Sequence, residues 1–178
     1  MPRPVPLLDT ARLRLRPPTL DDAPHLFARY TRDPEVTRNL TWRLHDTVER
    51  TVAFLRRCLA GIEDGSVLPW ILTERDDDRP IGMLELRLSG HRAELGYVLA
   101  RDWWGRGLMS EAAGTVVEWG LALPPVFRVW AVTDVDNHAS ARVLEKIGMQ
   151  REGLLRRWMV HPSLSPEPRD CWCFGRVR

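Results

Sequence analysis

The feature that most restricts the fold is a change of hydrophobic period at Leu99. From Val67 up to it, apolar residues come in short strand-like runs; directly after it, they recur every three or four positions. Val67–Thr73 reads as a strand, Asp76-Asp77-Asp78-Arg79-Pro80 as a turn, and Ile81–Leu88 as a second strand with Leu84, Leu86 and Leu88 on one face. Ser89-Gly90-His91 turns again into Ala93–Leu99. Three sequential strands with short turns predict an antiparallel meander. Beyond Leu99, the residues Met109, Ala113, Val116, Val117 and Leu121 share a helical face, from about Gly107 until Pro124-Pro125 stops it.

The rest of the chain extends this pattern. Leu13–Arg16, bracketed by prolines, reads as an opening strand, and Thr19 with Asp22 as a helix entrance. Ala23, Phe27 and Tyr30 share a face of that helix, which Asp33-Pro34 interrupts to give a broken pair. Asp46 and Glu49 have capping-box spacing ahead of Val48, Val52, Leu55 and Leu59, with Gly61 as the stop. Phe127–Val132 is a strand, a helix runs from Asn137 to an αL exit at Gly148, and Arg151–Met159 and Asp170–Val177 close the chain around a His161–Pro168 loop. The expectation is a single domain over residues 1–178 of mixed α/β class, with a central sheet and flanking helices.

Composition narrows the function classes. With 26 basic and 24 acidic residues in 178, the net charge of +2 supplies no field to attract nucleic acid or a membrane surface. No run approaches the ~20 apolar residues of a membrane helix, and the first thirty residues hold no signal-like apolar stretch, so a cytoplasmic protein is expected. Three cysteines, Cys58, Cys171 and Cys173, and five histidines show no metal-ligand spacing. No metal is expected, and the cysteines read as small buried hydrophobes.

The segment able to carry chemistry lies between the meander and the long helix. A strand runs into Trp103-Trp104-Gly105-Arg106-Gly107 and then into a helix. Glycines there let the backbone approach a ligand, and the unpaired amides of Arg106–Ser110, with the positive end of the helix dipole, form a seat for phosphate oxygens. Taken alone, two glycines are equally compatible with a tight turn that binds nothing.

This stretch resembles the acyl-CoA motif of the GNAT N-acetyltransferase superfamily. Glu94-Leu95-Gly96-Tyr97 with Trp104-Gly105-Arg106-Gly107-Leu108-Met109-Ser110-Glu111 is similar to its RimJ/RimL branch, the ribosomal-protein N-terminal-alanine acetyltransferases. A second match comes after it in order, Asn137-His138-Ala139-Ser140 through Ile147-Gly148-Met149, while Leu13–Pro17 and Arg169-Asp170 resemble that branch's first and last strands. One position departs from the motif: Asp102 stands where the superfamily usually has Gln or Arg.

The resemblance implies a mostly antiparallel twisted sheet with one splayed parallel pair, Ala93–Leu99 and Phe127–Val132, and pantetheine in the gap. It implies acetyl-CoA as cosubstrate, held by Tyr97, Val98, Leu99, Trp104, Gly105, Arg106, Gly107, Leu108, Met109, Ser110, Asn137 and Ser140. Gly96 is either a bulge that opens the pair or simple packing. Glu94 is the expected base, directly or through water, with Glu85 a weaker alternative, and Ser140 the acid facing the thioester sulfur; a backbone amide near Val98 or Leu99 would meet the thioester carbonyl. Asn137 and Ser140 also suit plain helix capping. Glu111, Glu118 and Glu145 read as solvated helix faces. Tyr30–Arg43 and the His161–Pro168 loop would build the pocket for a primary amine, either a protein N-terminus or a small amine. The chain would act as a monomer or homodimer, by direct transfer in a ternary complex, since no cysteine falls at the site. A non-catalytic acyl-CoA-binding module is the alternative.

Overall fold

The structure, a computed structural model, describes residues 4–178. Eight strands form one sheet: β1 (Leu8–Asp9), β2 (Leu13–Arg16), β3 (Val67–Glu74), β4 (Asp77–Ser89), β5 (Arg92–Leu99), β6 (Arg128–Asp134), β7 (Gln150–Met159) and β8 (Arg169–Val177). Their order across the sheet is β1-β2-β3-β4-β5-β6-β8-β7. Every neighbouring pair is antiparallel except β5 and β6. The helices are α1 (Ala23–Leu26), α2 (Pro34–Thr37), α3 (Val48–Asp64), α4 (Leu108–Ala122) and α5 (His138–Lys146).

Strand alternation sorts the core into two layers. Trp70, Leu72, Leu84, Leu86, Ala93 and Leu95 face α4 and α5, where they meet Met109, Val116, Val117 and Leu144. Ile71 and Met83 face the other way, into Leu26, Tyr30 and Leu55 of the α1–α3 side. This two-sided burial explains why β3 is an unbroken apolar run from Leu68 to Leu72 rather than an alternating one. The indole of Trp70 sits edge-on to Trp119 at 5.4 Å and donates to the Pro6 carbonyl at 2.8 Å.

Several boundaries move for identifiable reasons. The α3 N-cap is Thr47 rather than Asp46, which instead pairs with Arg50 one turn on. Gly61 lies inside α3, packed against Val67, and the left-handed exit falls at Gly65, φ 76°. The turn between β3 and β4 is shorter than expected: Glu74 pairs directly with Asp77. β1, only two residues long, carries no recognisable period. At the opposite edge β7 is exposed along most of its length, with a register shift between Leu155 and Met159 and a positive φ of 45° at Arg157.

Before α1, the chain is turned by a buried charge. Asp22, 4% exposed, accepts from the Thr19 amide at 2.8 Å and from both terminal nitrogens of Arg16 at 2.7 and 3.0 Å. Thr19 and Asp22 thus form the capping box of the expected helix entrance, with Thr19 as N-cap and the acid taking the Thr19 amide. Removing one partner of such a pair strands the other. Asp22→Ala is expected to destabilise the fold by roughly 3 kcal/mol, read as a fall in Tm by calorimetry.

Candidate active site

β5 and β6 are paired over only Arg92↔Arg128, Ala93↔Val129 and Glu94↔Trp130. Beyond that point β5 stays bonded to β4 as far as Leu99, while β6 stays bonded to β8 as far as Asp134. The two strands are thus drawn apart by their outer neighbours, leaving a cleft of about 980 Å³ between them. Ala100 donates to the Ile81 carbonyl at 2.8 Å. By alternation Val98 also directs its backbone at β4, whereas Tyr97 and Leu99 direct theirs into the gap. Val98 contributes its side chain to the cleft wall. No bulge opens the pair at Gly96: the register with β4 runs through it unshifted. A Cβ there would meet Glu85 Oε1 at 3.4 Å, an ordinary contact, so Gly96 is plain packing beside that carboxylate.

The mouth of the cleft is the N-terminus of α4. Gly105 and Gly107 have φ of 75° and 74°, a region where other residues are strained. Gly107 is the N-cap, without a side-chain hydrogen bond, so the first-turn amides of Leu108, Met109 and Ser110 remain open. Those three residues, with Gly105, Gly107 and Trp104, line the cleft. Trp104, 47% exposed, donates its indole N–H to the Leu99 carbonyl at 2.7 Å, tying the turn to the end of β5. Asp102 and Arg106 are exposed and outside the lining.

Arg106 contributes instead through its carbonyl, which accepts from Arg12 Nη1 at 2.9 Å. Arg12 also donates to Glu111 from its backbone N at 2.9 Å and its Nε at 2.7 Å, and Thr10 Oγ1 adds a bond of 2.6 Å. Burial alone would raise the Glu111 carboxyl; the bonds from Thr10 and Arg12 outweigh it and hold it below the usual range. Glu111 is therefore a strap between the β1–β2 turn and α4 rather than a solvated face. Glu118 pairs with Arg176 and Glu145 with Arg151. The strap has no signature in the sequence because its partners lie about a hundred residues apart.

Glu94 and Ser140 enter the cleft from opposite faces of the sheet. Glu94 alternates with Ala93 and Leu95, which face α4, and so points to the α1–α3 side beside Glu85. Arg87 pairs with both, closely with Glu85 and at 3.5 Å with Glu94. Burial raises the Glu85 carboxyl, partly offset by Arg87. Ser140 lies on the first turn of α5, its amide donating to Asn137 Oδ1 at 3.1 Å, which is the capping role. Its Oγ is 2.7 Å from the Tyr97 hydroxyl. Burial pushes the Tyr97 phenol well above its ordinary range, so it remains protonated. The motif reading credits Tyr97 with its backbone alone; the side-chain contact becomes visible only in the fold.

The outer part of the cleft is walled by Val36, Leu40 and Trp42 from the segment after α1, and by His161 and Leu164 from the closing loop. Phe54 of α3 joins them, its ring 6.0 Å from that of Trp42. None of the three cysteines lines the cleft; burial pushes Cys58 up to about 12 and Cys171 to about 11. Among the described residues, no group of three or more His, Cys, Asp or Glu side chains could hold a metal ion, and no helix is long and apolar enough to cross a membrane.

Comparison with known proteins agrees with this geometry. The chain is 34% identical over 157 residues to the uncharacterized N-acetyltransferase YoaA of Bacillus subtilis, covering 86% of this chain and 88% of that protein. Its fold matches RimL, the ribosomal L7/L12 alpha-N-protein acetyltransferase solved with coenzyme A, at a TM-score of 0.84, 19% identity and 97% coverage of each chain. It also matches the microcin C7 self-immunity acetyltransferase MccE, solved with acetyl-CoA and AMP, at a TM-score of 0.85 and 17% identity, over 94% of this chain and 93% of that one. Residues 12–150 match the acetyltransferase (GNAT) domain, and the chain belongs to that family.

Proposed function

We propose that this protein is an acetyl-CoA-dependent N-acetyltransferase that passes the acetyl group directly to a primary amine within a ternary complex. The observation that carries this reading is the gap between β5 and β6, which opens beyond Glu94 and Trp130 onto the uncapped first turn of α4. Open amides at a helix N-terminus suit a diphosphate. The backbone groups of Tyr97, turned into the gap, suit the amides of pantetheine, which would lie there as an added strand. The coenzyme A in RimL and acetyl-CoA in MccE support the same assignment. Leu108, Met109, Ser110, Gly105 and Gly107 would hold the phosphates, Trp104 and Asn137 would flank them, and Arg106 would serve through its carbonyl contact with Arg12.

The bound cosubstrate would supply a thioester carbonyl. Toward it, the Leu99 amide is the oxyanion donor favoured by strand alternation, because the Val98 amide is spent on β4. An α-amine titrates near ~8 and is mostly ammonium at neutral pH. Glu94, on the acceptor side, takes that proton directly or through water. Ser140 protonates the departing thiolate from the other face, and Tyr97, protonated and 2.7 Å away, orients its hydroxyl. That none of the three cysteines lines the cleft argues against a covalent acyl-enzyme.

Two substitutions test the roles. Glu94→Gln is expected to lower kcat/KM at pH 7 by about a hundredfold, with partial recovery at higher pH, where the amine deprotonates unaided; an unchanged pH profile removes Glu94 as base. Ser140→Ala keeps the amide that Asn137 caps, so acetyl-CoA affinity by calorimetry is expected to hold while kcat falls about a hundredfold. Equal turnover excludes the serine as acid.

A further inference from the structure

Among the buried polar side chains that line the cleft, His161 is one that acetyl transfer by Glu94 and Ser140 does not use. His161 is 3% exposed and lines the cleft, and neither Nδ1 nor Nε2 has a hydrogen-bond partner among the described residues. Its backbone is fixed: the His161 carbonyl accepts from the amides of Leu164 at 2.8 Å and Ser165 at 2.9 Å, so a tight turn presents the ring. Nε2 is 3.8 Å from Asp134 Oδ2, beyond hydrogen-bond length. That oxygen is already engaged by Arg169 Nε at 2.6 Å, and the second arm of Arg169 holds Asp136 at 2.7 Å. The nearby charges are thus paired with one another, and the imidazole is left over.

Its location ties it to the acceptor. Val129 and Ala131 of β6 face α4 and α5, so Asp134 points to the opposite face, the one that carries Glu94 on β5. His161 therefore stands on the amine side of the sheet, across the gap from the expected base. Buried polar groups without partners are rare in folded proteins. A neutral imidazole presents one donor and one acceptor, and an amide offers the complement of each.

We propose that His161 is a specificity-determining residue that hydrogen-bonds the amide adjoining the reactive amine, so that the preferred acceptors are α-amino amides rather than bare alkylamines. This rests on the acetyl-transfer reading above. The amide can come from a peptide N-terminus or from a single aminoacyl unit, and the two share the atoms that His161 would read.

The test compares kcat/KM for three acceptors at saturating acetyl-CoA: alanine N-methylamide, the matched alkylamine sec-butylamine, and a hexapeptide with a free N-terminal alanine. The wild-type protein is expected to favour the amide over the alkylamine by about a hundredfold, since a site built to bond a polar group rejects the analogue that lacks it. His161→Ala is expected to reduce that ratio at least tenfold, and His161→Gln, which keeps a donor and an acceptor, to restore part of it. A hexapeptide rate well above that of alanine N-methylamide assigns the amide to a protein N-terminus; equal rates assign it to a small aminoacyl compound. A ratio unchanged in His161→Ala, a fall in both rates together that leaves the ratio intact, or a wild-type protein indifferent to the amide each overturns the proposal. Titration of coenzyme A in parallel reports separately on the donor site, so a lost acetyl-transfer reading is distinguishable from a lost acceptor preference.

Discussion

The site depends on a competition for backbone hydrogen bonds at the middle of the sheet. β5 and β6 meet for three residue pairs and then part, because each continues along a different antiparallel neighbour. β5 follows β4 for its whole length, and β6 follows β8. A strand can satisfy only two edges, and these two strands spend one edge fully and the other only in part. The unspent edge of β5 around Tyr97 is what a ligand backbone can join. Glu94 lies at the last shared pair, so the carboxylate is set where the gap begins.

Around that gap the fold divides its labour by face. The α4–α5 side supplies open helix amides, the Asn137 cap and the Ser140 hydroxyl held by Tyr97. The α1–α3 side supplies Glu94, Glu85 and Arg87, with Trp42, Phe54 and His161 beyond them. The two sets of groups are thus kept on opposite faces of the sheet and meet only through the opening. The glycine turn needs external support, since its positive-φ residues hold little of their own structure. Arg12 supplies it by bonding both the Arg106 carbonyl and Glu111.

Much of this is legible in the sequence because it is local. The switch of period at Leu99, the glycines before α4, and the Asn137–Ser140 spacing each report on a few adjacent residues. What escapes a linear reading is set by contacts between distant segments. Glu111 reads as solvated because Thr10 and Arg12 are remote in the chain; Gly96 reads equally as bulge or packing, and only the unshifted register with β4 decides for packing. Gly61 resembles a helix stop, yet packing against Val67 accounts for it, and the left-handed residue is Gly65. On the outer wall of the cleft, Trp42 and His161 fall in the two segments the sequence singles out, whereas Phe54 comes from α3, outside both.

The two ends of the sheet show how an open eight-stranded surface avoids recruiting further strands. β1 is two residues long, too short to template another chain. β7 is long and exposed, but it carries Arg151, Arg156 and Arg157, and a register shift at its far end twists the outer backbone out of line. Brevity at one margin and cationic, kinked backbone at the other are both means of discouraging intermolecular strand addition. The one edge left receptive to pairing is then the interior one.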